Sequence, residues 1–138
     1  MADLFLGRWE LVPELSIFQR GTPPESGLTV IQLQGTMCHV AISWRAPGDE
    51  GDQHLGFACP ITGEIQRSDA APAGVPNGFS LTRVNERTLD SHAYIDSELV
   101  MYSRRVTTTD GTLLATTHHQ NLPNTPQSTN YQLYRRLP

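Results

Sequence analysis

Polar side chains that could bind a ligand or transfer a proton cluster near a hairpin whose turn is Asp110-Gly111. Glycine tolerates the positive φ of a type I′ turn, so a two-residue turn here sets which residues face each other across the hairpin. The predicted pairs are Thr108 with Leu113, Val106 with Ala115, Arg104 with Thr117, and Tyr102 with His119. Because this face is more apolar than the opposite one, we expect it to point inward.

The preceding hairpin, with Asp96-Ser97 as its turn, predicts the same inward face. Its predicted pairs are Ala93 with Val100, Ser91 with Tyr102, and Leu89 with Arg104. The two registers agree and place one polar cluster on three adjacent strands. Its members are Ser91, Tyr102, Arg104, Thr117 and His119.

This cluster suggests recognition of an anion or proton transfer. An arginine on an inward face needs acceptors, since an uncompensated buried charge costs several kcal/mol. A ligand acid would satisfy Arg104, and water, backbone carbonyls or Glu64 at a barrel end would do so equally well. A lone histidine such as His119 is ordinarily a structural residue. In an enzyme, Tyr102 or His119 would transfer the proton and Arg104 would hold an anion.

The rest of the chain predicts an all-β protein, because no window shows helical periodicity and Pro and Gly recur about every ten residues. The hairpin-like links and strand count indicate one antiparallel up-and-down barrel of about ten strands with a central cavity, spanning residues 1–138 as a single domain. The connections Pro13-Gly27, Pro47-Gln53 and Ser68-Gly78 are the long loops. The predicted strands are Phe5-Val12, Leu28-Gln34, Met37-Ala46, His54-Cys59, Glu64-Arg67, Phe79-Val84, Thr88-Ile95, Glu98-Thr108, Thr112-His119 and Asn130-Leu137.

Composition excludes several functions. The net charge is -4 and no basic stretch occurs, so we expect no nucleic-acid partner. All ten basic residues are arginine, which excludes lysine-based Schiff-base chemistry. Met1-Ala2-Asp3 does not resemble a signal peptide and no apolar run could span a bilayer, which predicts a cytoplasmic chain without a membrane partner.

Neither the cysteines nor the histidines form a metal motif. Cys38 and Cys59 lie on neighbouring predicted strands and are expected to be buried free thiols rather than a disulfide. The five histidines lack the inward-facing arrangement that zinc or iron requires, so we expect neither metal nor cofactor. Trp44 shares a face with Cys38, Val40 and Ile42 and is expected in the core or in a cavity wall.

The opening Phe5-Leu6-Gly7-Arg8-Trp9-Glu10-Leu11-Val12 resembles the first strand of the calycins, which include the lipocalins and the intracellular fatty-acid-binding proteins. The resemblance implies a barrel that binds a small molecule, with Arg135 or Arg136 packed across Trp9. Fatty-acid-binding proteins hold the ligand carboxylate with an Arg-x-Tyr on the last strand. Here Gln132 and Tyr134 occupy those places, so the charge would have to come from Arg104. Pro13-Gly27 is too short and interrupted for the helical lid of that family, which favours a lidless, bacterial-style lipocalin-like barrel.

Three functions remain open. The first is binding of a small hydrophobic or amphipathic ligand, with or without an acidic group, inside the barrel. The second is a cofactor-free enzyme, such as a cyclase, isomerase or hydro-lyase, that uses Tyr102 or His119 as acid and base. The third is a filled barrel acting through its outer face, where Leu99 and Met101 would form a homodimer contact. The predicted ligand-binding residues are Trp44, Ser91, Tyr102, Arg104, Thr117, His119, Gln132 and Tyr134.

Overall fold

A computed structural model describes residues 3–138 and shows an almost entirely β-stranded chain. One short 3-10 helix, Pro13–Leu15, interrupts the strands. Residues 1 and 2, on which the expectation about a signal peptide partly rests, lie outside the described residues. The strands are β1 Gly7–Leu11, β2 Ile17–Phe18, β3 Ser26–Gln34, β4 Met37–Arg45, β5 Gln53–Pro60, β6 Gln66–Arg67, β7 Gly78–Asn85, β8 Thr88–Ile95, β9 Glu98–Thr107, β10 Leu113–Gln120 and β11 Ser128–Arg136.

The strands form one sheet that curls into a nearly closed antiparallel barrel. Its order is β5-β4-β3-β1-β11-β10-β9-β8-β7-β6, so the first strand pairs with the last and almost every other neighbour is consecutive in the chain. The predicted fold class, an antiparallel up-and-down barrel of about ten strands, is confirmed. Within the described residues, no helix is long and apolar enough to cross a membrane.

The barrel leaves a gap between β5 and β7, and other contacts bridge it. The backbone N–H of Gly63 donates to the Leu81 carbonyl at 2.8 Å, and the N–H of Arg83 donates to the Ile61 carbonyl at 3.1 Å. The rings of Phe57 and Phe79 stack across the gap with their centroids 4.8 Å apart. Backbone hydrogen bonds and ring stacking therefore continue the wall where the strand ladder stops.

The connection between β1 and β3 contains no helical lid, as predicted. Its 3-10 helix leads into β2, a short strand that the sequence did not predict. Ile17 and Phe18 of β2 pair with Tyr131 and Asn130 of β11. This segment therefore lies against the last strand and brings Phe18 to the cavity described below.

A filled core occupies the half of the barrel around Trp9, and both cysteines belong to it. Cys38 and Cys59 are directly opposite each other on β4 and β5, fully buried and free, as the sequence predicts. Burial raises the pKa of each thiol to about 11, so both stay protonated at neutral pH. The other large, fully buried hydrophobic side chains are Phe5, Ile31, Leu81, Leu89, Leu114 and Val40.

The Gly-x-Trp opening closes the base of the barrel, and Arg136 is the arginine that packs on the tryptophan. The Arg136 guanidinium carbon lies 4.1 Å from the centre of the Trp9 ring. Arg135 instead points outward and pairs with Glu10 at 2.6 Å. The predicted cation–π closure is thus confirmed and assigned to one of its two candidates.

Replacing Gly7 with alanine is expected to lower the free energy of unfolding by about 1–3 kcal/mol. Gly7 has a φ of +135°, and an added Cβ would collide with the Arg136 guanidinium. Urea unfolding of Gly7→Ala would measure the effect. Gly51→Ala is the matched control, since Gly51 has no heavy atom within 4 Å of its added Cβ and no positive φ. Equal stability of the two variants would contradict the role assigned to Gly7.

Candidate functional site

A cavity of about 280 Å³ lies inside the barrel, beyond the filled core. One part of its wall is apolar and comprises Leu11, Phe18, Ile42, Trp44, Leu55 and Met101. The other part is polar and comprises Thr29, Ser103, Arg105, Thr116, His118, Gln120, Asn130, Gln132 and Tyr134. A smaller cavity of about 40 Å³ adjoins it, with Phe57, Phe79 and Ser91 in its wall. The combination of an apolar wall and converging polar groups is typical of small-molecule sites.

Arg105 is the central charged group of this site. The residue is only 4% exposed, faces both cavities, and donates a hydrogen bond from Nη1 to Ser91 Oγ at 2.9 Å. Among the described residues, the ion pairs involve Arg45, Arg83, Arg104 and Arg135, and no carboxylate pairs with Arg105. Burial lowers the pKa of Arg105, although an arginine remains charged at neutral pH. A buried cation therefore faces the cavity without a counter-ion from the described chain.

Tyr134 and Gln132 lie beside this cation on the last strand. Tyr134 is 5% exposed, and its hydroxyl donates to Gln132 Oε1 at 2.8 Å. Burial raises the pKa of Tyr134, so the phenol stays neutral and cannot neutralise Arg105. Tyr134 of β11 therefore lines the same cavity as Arg105 of β9.

Ser103 and His118 form a second polar group in the same cavity. They are directly opposite each other on β9 and β10, and Ser103 Oγ lies 2.6 Å from His118 Nδ1. Burial lowers the pKa of His118, and the charge of Arg105 lowers it further. The imidazole is therefore neutral at neutral pH, and one of its nitrogens can accept a proton.

Four predicted site residues lie in or next to the cavity. Trp44, Gln132 and Tyr134 line the larger space, and the prediction that Trp44 shares an inward face with Val40 and Ile42 is confirmed. Ser91 lines the smaller space and holds Arg105. Their roles in binding stay predictions.

The predicted inward orientation of Tyr102, Arg104, Thr117 and His119 is wrong. Arg104 lies on the outer face, where its Nε and Nη2 donate to the two Asp90 carboxylate oxygens at 2.7 Å each. Its side chain is 47% exposed, and the bond to Asp90 raises its pKa. His119 Nδ1 lies 2.9 Å from Thr129 Oγ1, away from the cavity. Neither Tyr102 nor His119 can therefore serve as an acid or base inside the barrel.

A β-bulge explains why the predicted register between β8 and β9 is wrong. Tyr94 pairs with Leu99, but Ala93 pairs with Met101, which leaves Val100 as an extra residue on β9. Ser91 consequently lies opposite Ser103, and not opposite Tyr102 as predicted. One inserted residue moves the following side chains to the other face of the sheet.

The polarity of the cavity wall explains why the wrong face of β9 and β10 was predicted to point inward. The register around Asp110-Gly111 is confirmed, including the Arg104–Thr117 and Tyr102–His119 pairs, but the face chosen as inward is wrong. Val106 and Leu113 are each 37% exposed, whereas Arg105 of the opposite face is buried. Counting apolar residues identifies the inner face of a filled core, and this part of the barrel encloses a partly polar cavity.

Sequence reasoning consequently missed Ser103, Arg105, Thr116 and His118. One signal pointed to them: the predicted outer face of β9 included Met101, a large apolar residue that the structure places in the cavity wall. The same correction removes Met101 from the predicted dimer contact and leaves Leu99, which is 51% exposed.

Comparisons with known proteins identify the class of fold. The nearly closed antiparallel β-barrel of this chain is shared with solved structures, as the fold predicted from its opening motif requires. One similar structure is secretory abundant heat soluble protein 4 from Ramazzottius varieornatus, with 16% identity, a TM-score of 0.61, and coverage of 100% of this chain and 98% of the other. Another is zebrafish ileal bile acid-binding protein complexed with cholic acid, with 12% identity, a TM-score of 0.53, and coverage of 97% and 99% respectively. No protein-family model and no curated protein matches the sequence. Identities this low establish the fold alone.

Proposed function

We propose that this protein binds a small amphipathic carboxylic acid inside the barrel, with the carboxylate on Arg105. The observation that carries the proposal is the burial of Arg105 at the cavity wall without a carboxylate partner among the described residues. A buried cation is costly unless an anion compensates it, and a guanidinium matches the planar geometry of a carboxylate. A bound acid would supply the missing counter-ion.

The apolar wall would bind the rest of the ligand. Ile42, Trp44 and Leu55 offer a surface against which each buried CH₂ group contributes about 0.8 kcal/mol. The cavity volume of about 280 Å³ corresponds to roughly nine water molecules in the liquid. This size favours a short acyl chain or a single ring system over a long-chain lipid.

The fold gives weaker, independent support. One structural neighbour is named as a bile acid-binding protein and was solved with cholic acid. Transfer of that property to this chain is an analogy between folds. The position of Arg105 is the reason to favour an acid over a neutral apolar ligand.

Titration calorimetry with octanoate and 1-octanol tests the proposal. The two probes have similar chains and differ in charge, so the comparison isolates the contribution of the carboxylate. A charge-assisted hydrogen bond contributes about 1.5–3 kcal/mol, and we expect octanoate to bind about 10- to 150-fold more tightly. Equal affinity for the two probes, or no saturable octanoate binding, would overturn the proposal.

A further inference from the structure

The Ser103–His118 pair has the arrangement of an activated nucleophile, and ligand binding does not require it. Serine is a weak nucleophile unless a nearby base removes its proton, and the two groups must lie within about 2.6–3.2 Å. Ser103 Oγ and His118 Nδ1 are 2.6 Å apart, and both residues line the 280 Å³ cavity. The pair is therefore accessible to a molecule bound in the barrel.

General-base action by His118 requires one of the two neutral tautomers of its imidazole. A neutral imidazole carries one N–H donor and one acceptor nitrogen. Gln120, which also lines the cavity, follows His118 by two residues on β10, so both side chains project from the same face of the strand. When the ring proton is on Nε2, Nδ1 is available to accept the Ser103 hydroxyl proton. This order of donors is the one that general-base activation of a serine requires.

Arg105 supplies the remaining component of such a site. It follows Ser103 by two residues on β9, so both side chains project from the same face of the strand. A guanidinium on this face can stabilise negative charge that develops on a carbonyl oxygen attacked by Ser103. A nucleophile, a base and a cation thus converge on one cavity.

We propose that Ser103 is the nucleophile of an acyl-transfer site that hydrolyses small carboxylic esters. Ser103 Oγ forms a bond to the ester carbonyl carbon while its proton passes to His118 Nδ1, and Arg105 stabilises the oxyanion. The bond from that carbon to the alcohol oxygen then breaks, and the alcohol takes the proton from His118. Water, deprotonated by His118, cleaves the acyl-Ser103 ester and releases the acid with Ser103 reprotonated.

This inference rests on the proposed function in one respect, since the acid product is the ligand assigned to Arg105.

Covalent labelling with an octyl fluorophosphonate tests whether Ser103 is a nucleophile, because serine attack on phosphorus displaces fluoride and leaves a stable adduct. Intact mass and peptide mapping should show one adduct per chain, on Ser103. His118→Gln keeps a polar side chain but no base, and we expect it to slow labelling about 100-fold.

Ser80→Ala is the matched control. Ser80 lies directly opposite His92 on neighbouring strands, as Ser103 lies opposite His118, but no hydrogen bond joins Ser80 to His92 in the described part of the chain. Its labelling rate should equal that of the wild type, and Ser103→Ala should not be labelled. Thermal unfolding of each variant confirms that the barrel has folded.

The outcomes separate the two proposals. A wild-type chain that binds octanoate but is not labelled at Ser103 overturns acyl transfer and leaves the proposed function standing. Labelling of Ser103 without octanoate binding supports acyl transfer and overturns the proposed function. Labelling that is as fast in His118→Gln as in the wild type also overturns acyl transfer, because the histidine would then not act as the base.

Discussion

Replacing Trp9 with alanine is expected to lower the free energy of unfolding by about 3–5 kcal/mol, the range seen for large aromatic residues in a protein core. Trp9 is fully buried, and its indole N–H donates to the Phe5 carbonyl at 2.9 Å. Alanine would leave a cavity at the closed end of the barrel and an unsatisfied buried carbonyl. Urea denaturation monitored by circular dichroism would measure the change.

The loss extends beyond the tryptophan itself, because Arg136 is positioned on its ring. The Arg136 guanidinium donates to the carbonyls of Gly111, Leu6 and Leu4, and so joins the last strand to the chain start and to the β9–β10 turn. Without the ring, the guanidinium loses its cation–π partner while it remains partly desolvated. Burial already lowers the pKa of Arg136, which is the sign of a charge removed from water.

Trp44→Ala is the control for this prediction. Trp44 lines the cavity and is half-buried, so its truncation enlarges an existing space and does not open a new one. We expect a loss well below that of Trp9→Ala. Equal losses for the two variants would contradict the assignment of Trp9 as the residue that closes the barrel.

The features that the sequence predicted correctly have local causes. The turn at Asp96-Ser97 has positive φ at both residues, 49° and 73°, as a type I′ hairpin requires. The alternation from Cys38 to Trp44 predicts the inward face of β4, because each residue there follows the simple period of a strand. The Gly7-x-Trp9 motif predicts the closed end of the barrel. Its glycine is needed because a Cβ at this position would collide with the Arg136 side chain.

The candidate site could not be predicted in the same way, because its position depends on a single bulge at Val100. A bulge has no obligatory residue type, so the registers predicted from the turns on either side of β9 agreed with each other, and both placed Tyr102 and Arg104 on the inner face. The polarity of the interior was a second obstacle. Arg105 and His118 face inward while Val106 faces outward, which reverses the polarity expected of a core.

Replacing Arg105 with methionine is expected to change stability and binding in opposite directions. Methionine fills a similar volume without a charge, and replacing buried charged groups with apolar ones can stabilise proteins by about 1–4 kcal/mol. The loss of the Arg105–Ser91 hydrogen bond costs about 1 kcal/mol, so we expect the free energy of unfolding to rise by a net amount of up to about 3 kcal/mol. Octanoate affinity should fall about 10- to 150-fold. Urea unfolding and titration calorimetry would measure the two effects on the same samples.

Arg104→Met separates this prediction from a general effect of removing an arginine. Arg104 is the next residue on β9 but points outward to Asp90, so its loss should leave octanoate affinity unchanged and should not stabilise the chain. Octanoate at 100 times its Kd would stabilise the wild-type chain by about 2.7 kcal/mol and the Arg105→Met variant far less. The difference in the free energy of unfolding between the two chains would therefore become smaller or change sign. A purely structural Arg105 predicts the contrary result, in which Arg105→Met loses stability and keeps its affinity for octanoate. The sign of the stability change therefore decides whether this cation belongs to the barrel wall or to a ligand.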